Sequence, residues 1–355
     1  MSEGYLVLEN GKVFAGKILG KERTVMGEAV FNTSMNGYQE IITDPSYAGQ
    51  ILVFTYPQIG NYGFSDYAFE SDFPALQGMV VKEASVVSGH YQSRWNLFEF
   101  IEKYGITCLS GIDTRAVTRT LRKEGTMGAV ITRDITDLEA VKLQAAAGGK
   151  LLETDLVGKV SVKDVKVFGS GSRKIVLWDF GTKKSIIKSL VKSDCTVFLV
   201  PARSSAEMIL RFKPDGVVLS NGPGDPRSCS YAVKEIRKLV KKLPVFGICL
   251  GHQLLALALG AETYKLTFGH RGGNHTVKDI RTGKCYVTSQ NHGYAVSEKS
   301  LENTGLSISF INLNDHTVEG LHHRTLPLMS VQFHPEASPG PQETGYLFSE
   351  FLRLN

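Results

Sequence analysis

The chain of 355 residues has no run of 18 apolar residues, so no membrane-spanning helix is expected. Its first residues, Met1-Ser2-Glu3-Gly4-Tyr5, lack the basic segment and apolar stretch of a signal peptide. Cysteine is scarce. Cys108, Cys195, Cys229, Cys249 and Cys285 are odd in number, widely spaced and without a Cys-x-x-Cys pair. That excludes a disulfide framework, points to a reducing cytoplasmic compartment, and makes any special cysteine a catalytic candidate rather than a structural one. Neither Gly-x-x-x-x-Gly-Lys-[Ser/Thr] nor a Gly-x-Gly-x-x-Gly following a strand occurs, so no nucleotide site of a recognisable kind is present. There is no His-Glu-x-x-His, and the adjacent His322 and His323 would point to opposite faces of a strand, so no metal site is expected. Charge of one sign is also missing as a cluster. Forty Lys and Arg stand against 35 Asp and Glu, a net +5. The densest basic run, Lys234 to Lys242, contains Ile236, Leu239 and Val240 at helical spacing, which makes it the solvated face of a helix rather than a nucleic-acid patch.

What is present is an ordinary globular composition, 42% hydrophobic and 21% charged, long enough for roughly two domains. The first half is β-rich. Tyr5 to Leu8 and Val13 to Phe14 flank an Asn10-Gly11 hairpin turn, and apolar runs follow at Ile51 to Phe54, Met79 to Val81 and Ala129 to Ile131. Helical spacing appears at Arg94 to Tyr104 and Thr114 to Lys123. Residues 153–172, ending in Gly-Ser-Gly-Ser, read as a linker between an N-terminal domain, 1–152, and a C-terminal domain, 173–355. In the second half, short apolar runs (Ile175 to Trp178, Thr196 to Val200, Gly216 to Leu219, Val245 to Ile248) alternate with helical patterns. That alternation predicts an α/β fold with a mostly parallel sheet flanked by helices, joined to a β-rich α/β N-terminal domain.

The strongest local signal is Pro244-Val-Phe-Gly-Ile-Cys-Leu-Gly-His-Gln253, where an apolar strand meets an apolar helix at Cys249. Gly247 and Gly251 flank the cysteine as in a Gly-x-Ser-x-Gly nucleophile elbow. Such a turn lifts the side chain to the carboxyl edge of the sheet. It also aims a helix N-terminus at the reacting centre, favouring the thiolate and offering N–H groups to an oxyanion. A nucleophile needs a base, and Val331-Gln-Phe-His-Pro-Glu336 supplies His334 with Glu336 two residues on to orient it. The loop Leu219-Ser-Asn-Gly-Pro-Gly-Asp-Pro226 follows a strand. Gly222 and Gly224 would let its backbone approach a ligand, although in isolation the motif reads better as a tight Gly-Pro turn with no ligand role.

These three motifs together resemble a class I, triad-type glutamine amidotransferase domain over roughly Lys174 to Asn355. The first half resembles the small-chain family of carbamoyl-phosphate synthetase. The matching segments are Val30 to Glu40 (VFNTSMNGYQE), Thr43 to Tyr47, Thr55-Tyr-Pro57 with Ile59-Gly-Asn61, and Gly111 to Arg115, joined by Phe268 to His275 and Gln290 to Gly293. The resemblance implies a Cys249, His334, Glu336 triad that hydrolyses glutamine through a thioester, with the backbone of Leu250 and Gly224 holding the oxyanion. It implies that Ser46, Gly222, Gln253, Asn291, Gly293 and Tyr294 grip the amino-acid end of glutamine, with Ser46 coming from the other domain. It further implies a large ATP-using subunit that receives the ammonia through an enclosed passage. ATP and Mg are expected there and no cofactor in this chain. Two rival readings use the same residues: an amidotransferase serving another acceptor, and a non-catalytic glutamine-sensing module. The N-terminal segments argue against the first and the intact triad against the second.

Overall fold

The computed structural model describes residues 2–354, which fall into two compact units, 2–156 and 157–354. The first begins with the hairpin expected from Asn10-Gly11. Strands β1 (Ser2–Leu8) and β2 (Val13–Gly20) pair antiparallel, and Gly11 takes a φ of 83° in the connection. There follow β3 (Val25–Asn32), β4 (Gln50–Phe54), β5 (Gln58–Ile59), β6 (Gly78–Val81), β7 (Glu83–Ala84), β8 (Thr107–Ser110) and β9 (Met127–Thr132). Seven of these close into a barrel of order β1-β2-β8-β6-β4-β3-β9, with β9 returning to β1. Closure leaves no free edge, and alternate residues such as Val30, Leu52, Phe54, Met79, Val81 and Cys108 join one core with Phe100 and Ile101. Those two aromatic and aliphatic side chains come from the helix Leu97–Tyr104, which opens on an Asn96/Glu99 capping box.

The second unit is built on β10 (Lys166–Phe168), β11 (Arg173–Asp179), β12 (Cys195–Pro201), β13 (Gly216–Leu219), β14 (Val245–Ile248), β15 (Thr263–Asp279), β16 (Cys285–Val296), β17 (Leu306–Asn312), β18 (Val318–His323) and β19 (Leu328–Val331). They form one ten-stranded sheet in the order β10-β12-β11-β13-β14-β19-β18-β17-β15-β16. Its centre is parallel, from β12 to β19. The central strands read as unbroken apolar runs because both faces are covered. Val176 and Trp178 pack with the helices Ala206–Arg211, Ser230–Leu239 and Leu250–Ala258, whereas Ile175 and Leu177 pack with Lys184–Lys192 and Tyr346–Phe351. Period-two alternation therefore splits one short strand between two cores.

The stretch 153–172, expected as a linker, is not free chain. Its residues from Val157 onward belong to the second unit. β10 pairs antiparallel with β12, Val162 N–H donates to Asp179 Oδ2 at 2.6 Å, and Ser161 Oγ accepts from Ala202 N–H at 2.9 Å. The Lys-rich composition that suggested a connector is that of an edge strand, where exposed lysines discourage further pairing. Among the described residues no helix is long and apolar enough to cross a membrane.

Candidate active site

β14 and β19 are parallel neighbours, with Ile248 opposite Val331. The next residues of both chains therefore leave the sheet at the same carboxyl edge, which brings Cys249 and the Phe333-His334 segment together. Cys249 sits at the head of the helix Leu250–Ala258 with φ 54° and ψ −103°, a backbone conformation that a non-glycine residue adopts only under constraint. Its N–H donates to Val331 O at 2.9 Å and fixes the turn. The flanking glycines are steric requirements. A Cβ on Gly247 would stand 2.6 Å from Gly251 O, and one on Gly251 would stand 2.2 Å from Leu219 O. Gly251→Ala is thus expected to push the elbow off β13 and destabilise the unit by about 2–3 kcal/mol, read as a lower denaturation midpoint at unchanged slope. An unchanged midpoint would show that the turn has slack.

His334 is pinned by its own backbone, which donates to Ser289 O at 2.9 Å. Its Nδ1 lies 2.6 Å from Glu336 Oε1. Nε2 is left without a closed hydrogen bond, although Cys249 is near enough to act on the ring electrostatically. Burial works against the charged imidazole, but Glu336 and Cys249 outweigh it and lift His334 to about 10. Glu336 is held at about 2, because Lys183 and then His334 overcome the burial that would raise it. A fully buried carboxylate thus stays ionised beside the imidazole, which is the electrostatic requirement for orienting a general base.

Lys183 was missed by the sequence reasoning. Its Nζ lies 3.1 Å from Glu336 Oε1 and donates to Ala337 O at 2.6 Å, with 3% of the lysine side chain and none of the glutamate side chain exposed. Its backbone N–H donates to Asn221 Oδ1 at 3.1 Å, joining the Glu336 side to the loop 220–226. That loop is itself bound into the sheet. Ser220 Oγ accepts from Phe180 N–H at 2.9 Å and donates to Asn221 O at 2.8 Å, while Ser220 O accepts from Gly251 N–H at 3.0 Å. Gly222 has no room for a side chain, since a Cβ would stand 2.1 Å from Phe180 O, and Gly224 takes φ +88°. The loop is a fixed wall beside the elbow rather than a loose turn.

Strand β16 supplies the opposite wall. Asn291 O lies 3.5 Å from Cys249 Sγ. Gln253 Nε2 donates to Tyr294 O and to Gln332 Oε1, both at 2.9 Å, tying the helix behind Cys249 to this strand. Leu250 opens that helix, where the first N–H groups have no intrahelical partner. The second unit thus gathers Cys249, His334, Glu336, Gly222, Gly224, Leu250, Gln253, Asn291, Gly293 and Tyr294 onto the loops and strands around one sheet edge. Ser46 lies in the first unit, buried in a 3-10 turn at Pro45–Tyr47 capped by Asp44.

The remaining cysteines differ in setting. Burial pushes the Cys108 thiol up to about 12 and the Cys195 thiol up to about 11, Cys229 is buried, and Cys285 is exposed on β16. His270, His292 and Glu319 come together, buried, with potential ligand atoms within 4.8 Å of one another. No metal-ligand spacing announced them in the sequence, because they come from three strands. Both His292 ring nitrogens already face carbonyl oxygens and Glu319 accepts from two amides, so the cluster is a hydrogen-bonded network.

Residues 176–354 match the family described as glutamine amidotransferase class-I, and residues 6–131 match that described as carbamoyl-phosphate synthase small chain, CPSase domain. The carbamoyl phosphate synthase small chain of Listeria monocytogenes serovar 1/2a is 49% identical over 356 residues, covering 100% of this chain and 97% of that protein. That of Staphylococcus saprophyticus is 48% identical over 356 residues, covering 100% and 96%. That of Oceanobacillus iheyensis is 49% identical over 355 residues, with the same coverages of 100% and 96%.

Proposed function

This chain belongs to the carbamoyl-phosphate synthase small-chain family, and from that premise we propose that it is the glutamine-hydrolysing subunit of a carbamoyl-phosphate synthase, supplying ammonia to a large ATP-using subunit. The observation that carries the reading is the convergence of Cys249 at a strained strand-to-helix elbow with a buried His334–Glu336 pair. The thiolate attacks the side-chain amide carbon of glutamine. The tetrahedral oxyanion is met by the backbone N–H groups of Leu250 and Gly224. His334 gives its proton to the departing nitrogen, so that ammonia leaves and a γ-glutamyl thioester remains on Cys249. The same imidazole then takes a proton from water, which attacks the thioester and releases glutamate and the free thiolate.

Gly222, Gln253, Asn291, Gly293 and Tyr294 hold the amino-acid end of the substrate in this reading. Gln253 acts partly by holding the carbonyl of Tyr294. ATP and Mg belong to the partner, where bicarbonate, ammonia and phosphoryl groups combine, and the chain works in the cytoplasm. The product serves arginine or pyrimidine synthesis, or both.

Acid quenching of the purified chain during turnover of radiolabelled glutamine tests the chemistry. Label bound covalently at Cys249, with release of glutamate and ammonia, is the expected result. Glutamine binding without either product would support a sensing module instead. Affinity purification of the tagged chain tests the partner. A large ATP-using protein that forms carbamoyl phosphate is expected, and a partner acting on a different acceptor would redirect the assignment.

A further inference from the structure

The segment Gln290–Tyr294 of β16 carries three of the residues assigned to glutamine, yet its lateral support is short. In the β15–β16 ladder the register shifts between Lys265 and His270 and again between Gly272 and His275. His270, Arg271 and Gly272 therefore pair with His292, Asn291 and Gln290 as an island between two irregularities. A regular ladder does not hold this segment in place.

A buried polar chain does. Asp315 Oδ2 lies 2.8 Å from His270 Nε2, and Glu319 Oε1 lies 3.4 Å from His270 Nδ1. Glu319, fully buried on β18, accepts from Asn312 Nδ2 at 2.9 Å and from Gln290 Nε2 at 3.0 Å. Gln290 Oε1 lies 2.9 Å from His292 Nε2, and His292 Nδ1 lies 2.8 Å from Tyr294 O. Tyr294 O is the carbonyl that also takes Gln253 Nε2. The contacts thus run from a half-exposed aspartate to Gln290 and His292 on the strand that faces the substrate, where a neutral His292 has one N–H and closes one of its two carbonyl contacts as a hydrogen bond.

We infer that His270, clamped between Asp315 and Glu319, is a positioning residue for glutamine binding, acting through Glu319, Gln290 and His292 on the backbone of Asn291–Tyr294. The inference rests on the glutaminase reading. Its basis is geometric: the Glu319 carboxyl group is removed from water and lies 3.4 Å from a His270 ring nitrogen, with Asp315 on the other ring nitrogen at 2.8 Å. Burial opposes charge on His270, but Asp315 and Glu319 outweigh it and hold the ring at about 9. The other groups facing it are His275 on its own strand, His292 on β16 and the neighbouring Arg271. His275 is pushed down to about 4 by burial and by His270, and His292 is pushed well below its usual range for the same reasons. His270 is thus the charged imidazole of the cluster at neutral pH. A group whose pKa rises on folding stabilises fully below its unfolded value and loses that contribution as pH climbs through about 9.

The test is glutamine hydrolysis by the complete complex, with His270→Asn and Asp315→Asn in this chain. Glutamine's own ammonium titrates equally in every assay, so the ratio of variant to wild-type KM isolates the protein group. For His270→Asn the ratio should be about tenfold near pH 7.5 and shrink toward one by about pH 10, where wild type has also lost the charge, with kcat within about twofold. Asp315→Asn removes only the half-exposed partner. It should fold normally and start its rise in KM at lower pH than wild type, which keeps the idea testable if His270→Asn misfolds. A ratio of one at neutral pH, or one constant with pH, overturns the inference while glutamine hydrolysis stands. A wild-type complex that does not hydrolyse glutamine overturns the glutaminase reading first and this inference with it.

Discussion

Cys249→Ala is expected to abolish glutamine-dependent carbamoyl phosphate synthesis while leaving ammonia-dependent synthesis by the assembled complex within about twofold of wild type. The loss with glutamine should reach about 10⁴-fold or more, because the nucleophile and its base act as a unit and no residual path forms the thioester. The asymmetry follows from the geometry. The thiol's hydrogen-bond contact is with Asn291 O at 3.5 Å, and the backbone that forms the elbow is held separately by the Val331 hydrogen bond and the helix Leu250–Ala258, so truncation at Cβ leaves the turn in place. Ammonia from solvent bypasses only the step that Cys249 performs. Steady-state rates with each nitrogen donor decide the matter. Retained glutamine activity would remove Cys249 from the mechanism, and a matching loss with ammonia would show that the substitution damaged the complex rather than the chemistry.

The elbow was legible because a strand buried on both faces must be a short apolar run. Val245 to Ile248 ends at Cys249 between two glycines that the local packing demands. His334 and Glu336 were legible for a similar reason, since base and orienter lie two residues apart after a strand. Lys183 was not. It stands 153 residues from Glu336, next to Lys184 in a stretch where lysine is the expected solvated residue. Only the fold reveals that one of the two is turned inward. β15 escaped notice because its 17 residues are polar and glycine-rich, with two irregularities that erase any period of two. β10 was hidden by composition, and the His270–Glu319 network by distribution over three strands. Local pattern reports which residues are buried. It does not report which buried charges meet.

That limit makes Lys183 the place to test the electrostatic design of the site. Lys183→Met should destabilise the protein by about 3 kcal/mol near neutral pH, because it leaves the buried Glu336 with His334 as its remaining cationic partner. It also strips the donor from Ala337 O, on a residue held at φ 58°. The pH dependence separates lost charge from lost packing. Glu336 is depressed to about 2 from 4.5, so its pairing contributes fully above about 4.5 and is lost as pH falls through about 2. Lys183 is the largest of the influences that lower it, and without that ammonium the folded-state value rises toward the unfolded one. The variant should therefore lag wild type most at neutral pH, and the two should converge as acid protonates Glu336. Part of the loss is offset because Lys183 also opposes charge on His334, which holds its proton more firmly once the lysine is gone. Urea unfolding between about pH 3 and 8 measures the gap. A gap that stays constant with pH would assign Lys183 a packing role alone, and no gap at pH 7 would mean that His334 suffices to keep Glu336 ionised.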